Sequence, residues 1–159
     1  MNLFPLLKYT NSDIVFQEIP DEVALAINVS GCPCRCPGCH SPYLWNDVGE
    51  PLTDEAIDNL IAQCHNNITC VALMGGDACA AEVNRLMQHL RQRHKKLHTA
   101  WYSGRSLLAP ALNLDNFDYI KLGPYLKHLG SLRSTRTNQR MYKVVNGKML
   151  DITSHFWKK

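Results

Sequence analysis

Four short apolar runs, at residues 23–29, 68–74, 97–102 and 117–122, constrain the fold of this chain more than any other feature. All but the last are nearly continuous in apolar character, as strands covered on both faces must be. The segments between the first three carry apolar residues at helical spacing instead. Residues 54–65 place Ile57, Leu60, Ile61 and Cys64 on one stripe; Thr53 is positioned to cap the first turn, Asp54 and Glu55 sit at its positive dipole end, and Leu52 can staple onto Ile57. Residues 80–94 turn Val83, Leu86, Met87 and Leu90 inward, with Glu82, Arg85, Gln88 and Arg91 outward. Alternation of this kind predicts an α/β domain with a largely parallel sheet, both helices serving as crossovers. Near the end, two strands flank Asn146-Gly147, a strong signal for a two-residue hairpin turn.

Each predicted strand of the parallel set ends in glycine or a polar turn: Ser30-Gly31-Cys32, Gly75-Gly76-Asp77, Ser103-Gly104 and Gly123-Pro124. In parallel α/β folds that edge is where ligands bind. Turning a strand into a helix also calls for glycine, and for any one of these positions that explanation suffices. Four on a common edge, with cysteines at the first and an acid at the second, favour a site.

The loop after the first strand reads Gly31-Cys32-Pro33-Cys34-Arg35-Cys36-Pro37-Gly38-Cys39-His40, and the chain holds seven cysteines in all. Thiolates packed this closely repel one another unless a cation or an iron-sulfur core neutralises them. Zinc needs four ligands, and Cys36 with Cys39 offers one knuckle with no obvious second, since Cys64 and Cys70 fall on a predicted helix and strand where a cysteine acts as a small hydrophobe. A redox dithiol at Cys36 and Cys39 leaves Cys32 unexplained. The third chemistry takes Cys32, Cys36 and Cys39 as a C-x3-C-x2-C triplet holding three irons of a [4Fe-4S] cluster, the fourth iron being open for catalysis. Cys34 stands outside that spacing as a free thiol.

The triplet resembles the cluster motif of the radical S-adenosylmethionine superfamily, in which the amino and carboxylate groups of S-adenosylmethionine chelate the open iron and one electron breaks the sulfonium bond. Met74-Gly75-Gly76-Asp77 resembles the superfamily's glycine-glycine-acid motif, whose acid accepts from the methionine ammonium. Gly38, replacing the aromatic residue common before the third cysteine, narrows the match to one branch. That branch is the activating component of anaerobic (class III) ribonucleoside-triphosphate reductase. Its stretches are matched by Val29-Ser30-Gly31-Cys32, Cys36-Pro37-Gly38-Cys39, Leu44-Trp45, Gly75-Gly76-Asp77, Trp101-Tyr102-Ser103-Gly104 and Thr137-Asn138-Gln139-Arg140, over residues 23–145. The sequence departs from the branch at residues 18–22, which lack a glycine-rich turn, and at Ala78-Cys79, where proline-leucine is more familiar.

The resemblance implies a glycyl-radical activase. Cys32, Cys36 and Cys39 would ligate the cluster, and Gly38, Cys39, His40, Gly75, Gly76, Asp77, Ser103, Gly104 and Lys121 would line the S-adenosylmethionine site. The partners would be the reductase and a one-electron donor such as flavodoxin or ferredoxin. It also implies the fold. A full (β/α)8 barrel needs about 200 residues or more, so residues 1–159 are expected to form one domain, a partial, open (β/α) barrel with a C-terminal hairpin. An activase for another glycyl-radical enzyme, of the pyruvate formate-lyase type, and a non-catalytic metal-binding interaction module are the alternatives. Arg133, Arg136 and Arg140, with Asn138 and Gln139, form a polar loop suited to the reductase or simply to solvent.

Composition sets outer bounds. A net charge of +3, spread along the chain, gives no basic face for a nucleic acid. No run approaches the ~18 apolar residues of a membrane-spanning helix, and the first residues lack the apolar core of an export signal, so a cytoplasmic protein is expected. The seven histidines fall mostly on polar helix faces and loops, where solvation is the default.

Overall fold

A computed structural model of the chain describes residues 6–31, 48–110 and 112–157. Eight strands form one mixed sheet. In chain order they are β1 (Lys8–Val15), β2 (Ala24–Val29), β3 (Glu50–Pro51), β4 (Cys70–Met74), β5 (His98–Tyr102), β6 (Tyr119–Leu122), β7 (Arg140–Val145) and β8 (Lys148–Asp151), with helices α1 (Asp54–Ala62) and α2 (Ala80–Arg93). The spatial order is β3-β1-β2-β4-β5-β6-β7-β8. The four strands read as apolar runs are its parallel centre, β2, β4, β5 and β6, in a register that sets Asn28 beside Met74, Met74 beside Tyr102, and Tyr102 beside Lys121. Antiparallel strands flank them, β1 on β2 and β7 on β6.

This is not the expected (β/α) barrel. Among the described residues only two α-helices occur, and a barrel requires a crossover after each strand. Among the described residues, the connection from β5 to β6 carries only a 3-10 turn at Leu114–Asn116, and Pro110 stands in the middle of its apolar residues Leu107, Leu108 and Leu112, where a helix would lose a backbone hydrogen bond. After β6 the chain returns antiparallel as β7 and pairs Leu122 with Arg140. The sheet is thus extended by ribbons at both sides and does not curl through further βα units. Strand β1 has no apolar run to announce it: Asn11 and Asp13 are poor strand formers, and it exists because β2 offers it a ladder from Tyr9 against Val29 to Val15 against Ala24.

Two apolar layers clothe the centre. On one face Leu25, Ile27, Val29, Val71, Leu73, Trp101 and Ile120 meet Ile57 of α1 and Val83, Leu86, Met87 and Leu90 of α2. On the other face the smaller side chains Ala24, Cys70, Ala72 and Ala100 join Tyr119, Met141 and Leu132, with Ile152 and Phe156 packed against them. Helix α1 starts where its cap dictates, with Thr53 Oγ1 accepting from the Ala56 N–H at 3.0 Å, and Leu52 and Ile57 are both fully buried beside it. Glu82 departs from its expected outward position. It is fully buried, its carboxylate held by Arg85 Nε and Nη2 at 2.7 and 3.0 Å. The hairpin joining β7 to β8 turns on Asn146 and Gly147, whose φ values of 52° and 75° are those of a type I′ turn. Among the described residues, no helix is long and apolar enough to cross a membrane.

Candidate iron-sulfur site

The carboxyl-terminal edge of the parallel strands gathers every predicted site residue that the structure describes. The cysteine loop leaves this edge at Gly31 and returns at Val48. Ser30, 4% exposed at the end of β2, bonds both to β1 and to Val48. Its N–H donates to Lys8 O at 2.9 Å and its hydroxyl donates to the carbonyl of Val48. Cys32, Cys34, Cys36, Gly38, Cys39 and His40 lie outside the described residues. Sequence reading noted Ser30 only as part of a turn, yet its clamp closes the loop on which the cysteines stand.

The next strand end is built around two glycines. Gly75 has φ 112°, and a Cβ there would lie 2.9 Å from Val29 O at the end of β2. Gly76 has φ 108°, and a Cβ would lie 2.7 Å from Val83 Cγ2 of α2. Both conformations belong to the left-handed region that L side chains avoid. The pair therefore has a reason in the fold itself: it turns β4 into α2 in a space too tight for side chains. Trp101 Nε1 donates to Gly75 O at 2.7 Å, and the Gly75 N–H donates to Tyr102 O at 3.0 Å, fixing the turn to β5.

Asp77 follows, only 7% exposed. Its Oδ1 accepts from Ser103 Oγ at 2.5 Å and its Oδ2 from the Gly104 N–H at 2.8 Å. Ser103 and Gly104 are the turn at the end of β5, so the acid joins two of the predicted segments directly. Ser103 O in turn accepts from Lys121 Nζ at 2.9 Å, and Gly123 O accepts from the same ammonium at 2.9 Å. The Lys121 ammonium also lies 5.5 Å from the centre of the Tyr102 ring, which stabilises a buried cation. Gly75, Gly76, Asp77, Ser103, Gly104 and Lys121 thus form one continuous network across β4, β5 and β6. A buried carboxylate and a buried ammonium, each hydrogen-bonded, form a rigid polar floor.

Beyond Lys121 the network reaches the loop before β7. Asn138 Nδ2 donates to Pro124 O at 3.1 Å, while Asn138 Oδ1 is buried with no hydrogen-bond partner among the described residues. A buried acceptor without a donor costs about 1–3 kcal/mol. Such an acceptor is one that an ordered water, an ion or a polar ligand can satisfy.

The other cysteines behave as small hydrophobes. Cys64 and Cys70 are buried, and burial pushes both thiols up, Cys70 further through Glu22 and Asp118. Neither thiol is ionised at neutral pH. A hollow of about 870 Å³ at the opposite edge, among whose lining residues are Asn66, Thr69, His94, Lys96 and Leu97, holds none of the predicted site residues.

A family model described as a 4Fe-4S single cluster domain matches residues 23–121. The chain belongs to the 4Fe-4S single cluster domain family. The matched span runs from the entrance of β2 to Lys121, so it takes in the cysteine loop and every strand end of the network just described. A [4Fe-4S] cluster is the cofactor of this domain, which removes zinc and a simple dithiol as readings of the loop. Searches of curated proteins and of solved structures returned no match.

The donor set fits such a cluster. Three of the four thiols between Cys32 and Cys39, those of Cys32, Cys36 and Cys39, provide soft ligands at cluster spacing. Ser30 bonds to Val48 at the strand edge that carries the polar floor.

Proposed function

We propose that this 4Fe-4S single cluster domain is a radical S-adenosylmethionine activase that generates a glycyl radical on anaerobic ribonucleoside-triphosphate reductase. The observation that carries the reading is the coincidence of two motifs: C-x3-C-x2-C at the end of β2, and Gly75-Gly76-Asp77 at the end of the neighbouring parallel strand. Cys32, Cys36 and Cys39 would hold the cluster and leave one iron without a protein thiolate. When bound, the cluster supplies the single electron that cleaves the sulfonium bond, which gives methionine and a 5′-deoxyadenosyl radical able to take the Cα hydrogen of a glycine in the reductase. A one-electron donor such as flavodoxin or ferredoxin restores the electron.

The protein's own residues bind and orient. Asp77 is a buried acid at that edge, oriented by Ser103 and Gly104, and a carboxylate is an acceptor of several hydrogen bonds. It is therefore suited to receive the methionine ammonium. Gly38, Cys39 and His40, from the loop, and Gly75 and Gly76, from the β4 turn, would flank the same ligand. Asn138 Oδ1 is an acceptor suited to an exocyclic amine such as that of adenine. No protein base is needed, since the substrate loses a hydrogen atom and not a proton.

Anaerobic incubation of the iron-loaded protein with dithionite and S-adenosylmethionine tests this. The expected products are 5′-deoxyadenosine and methionine in equal amounts, and adding the reductase should give a glycyl doublet by electron paramagnetic resonance. A cluster whose spectrum ignores S-adenosylmethionine would leave a binding module, and a doublet only on a pyruvate formate-lyase type enzyme would reassign the partner.

A further inference from the structure

Histidines on polar helix faces are usually solvated, but two of these are not arranged that way. Helices α1 and α2 lie on the same face of the sheet, and their flanks meet at Asp58, His89 and His94. His89 Nε2 lies 2.9 Å from Asp58 Oδ1 and 3.1 Å from Oδ2, and His94 Nε2 lies 2.7 Å from the same Oδ1. One ligand atom from each of the three side chains falls within 4.8 Å of the other two. Two imidazoles competing for one carboxylate oxygen is a poor use of donors if hydrogen bonding were the purpose.

The surroundings fit coordination better. His89 Nδ1 faces Asp54 Oδ2 at 3.6 Å, and Asp54 is itself held by Arg85 Nη1 at 3.0 Å. A carboxylate behind the second ring nitrogen is the usual means of orienting a metal-bound histidine. His94 also lines the open hollow at this edge, so an ion has a route in. Side-chain exposures of 19% for His89, 27% for Asp58 and 21% for His94 leave the cluster shielded but reachable.

We propose that Asp58, His89 and His94 form a divalent transition-metal site, suited to Zn2+, that cross-links α1 and α2. Two imidazole nitrogens and a carboxylate oxygen are a three-ligand zinc set with a fourth position for water. Ligands about 2 Å from a shared ion stand about 3.3 Å apart, so the observed separations open by about half an ångström on binding. The site is separate from the polar floor: His89 is nine residues into α2 from Ala80, about 13 Å of helix away from it. It stands whether or not the activase reading does.

The test uses the full-length, cluster-loaded protein, its cysteine loop already occupied by iron, and Zn2+ alone as the probe. One Zn2+ per chain should survive desalting, and its X-ray absorption edge should show a nitrogen and oxygen shell with imidazole scattering. His89→Gln and His94→Gln, which keep a hydrogen-bonding amide near Asp58, should each weaken Zn2+ at least tenfold and lose the zinc-dependent rise in melting temperature. A sulfur-dominated shell, no retained zinc, or equal retention by both variants would overturn the site.

Discussion

A carboxylate buried to the extent of Asp77 is stable in the fold only where donors meet its oxygens, and Ser103 and Gly104 provide them. That dependence also explains the glycines before it, since the turn must bring Asp77 under β5 while passing between Val29 and Val83. Gly76→Ala should therefore cost about 1–3 kcal/mol through its left-handed backbone alone, and the approach to Val83 adds to that. Urea unfolding of the two proteins checks it, and an unchanged midpoint would refute the packing account. Other buried groups set an alkaline limit. Burial, with Glu18 close by, raises Tyr102 well above its ordinary value of 10.0, and burial raises Cys70 above 9.0. Both are neutral in the fold and ionise in the unfolded chain, so their contribution is complete below pH 9 and is lost as pH rises beyond it. Stability should fall from about pH 9 upward, and Tyr102→Phe should flatten the part of the fall above about pH 10. Urea midpoints across that range decide it. The glycine-glycine-acid motif was legible in the sequence because it is contiguous. The clamp at Ser30 and the orphaned acceptor at Asn138 were not, because each depends on a partner brought near by the sheet.

Elements were readable in proportion to their apolar periodicity. The strands β2, β4, β5 and β6 and both helices stand where apolar spacing put them, since each buries a face and burial writes a period into the sequence. Strand β1 carries no such period, as its outward side meets solvent and its stability comes from the ladder to β2. The barrel expectation failed at the same scale. It rested on family resemblance and chain length, whereas between β5 and β6 Pro110 interrupts the apolar stretch, Leu107 to Leu112, on which a further helix could form. Helix α1 illustrates how much one local signal contributes. It is short, and Thr53 satisfies one of the four backbone donors at its start. Thr53→Ala should lower stability by about 1 kcal/mol, whereas Thr53→Ser should be close to neutral. A thermal melt of both separates the cap from a simple packing effect.

For the molecule as a whole, the question is whether the metal loop holds the fold together or the fold holds the loop. Among the described residues, both apolar layers are built from strands, helices α1 and α2, and the C-terminal turn, with Trp101, Phe117, Leu86 and Met87 among the largest buried side chains. The loop is fastened to this body at its two ends through Ser30 and Val48. A small metal-dependent domain inverts that relation and unfolds when its ion is removed. Here the sheet should persist without iron. Serine in place of Cys32, Cys36 and Cys39 together should abolish the bound cluster and its absorbance while keeping the far-ultraviolet circular dichroism and a cooperative melt. Cys34→Ser should keep both cluster and fold, because Cys34 falls outside the C-x3-C-x2-C spacing. Loss of cooperative melting in the triple variant would make the cluster structural and weaken the case for an open iron. Loss of the cluster in Cys34→Ser would instead give the cluster a fourth thiolate, and an iron that carries a protein thiolate beside its three cluster sulfides has no position left for a sulfonium substrate.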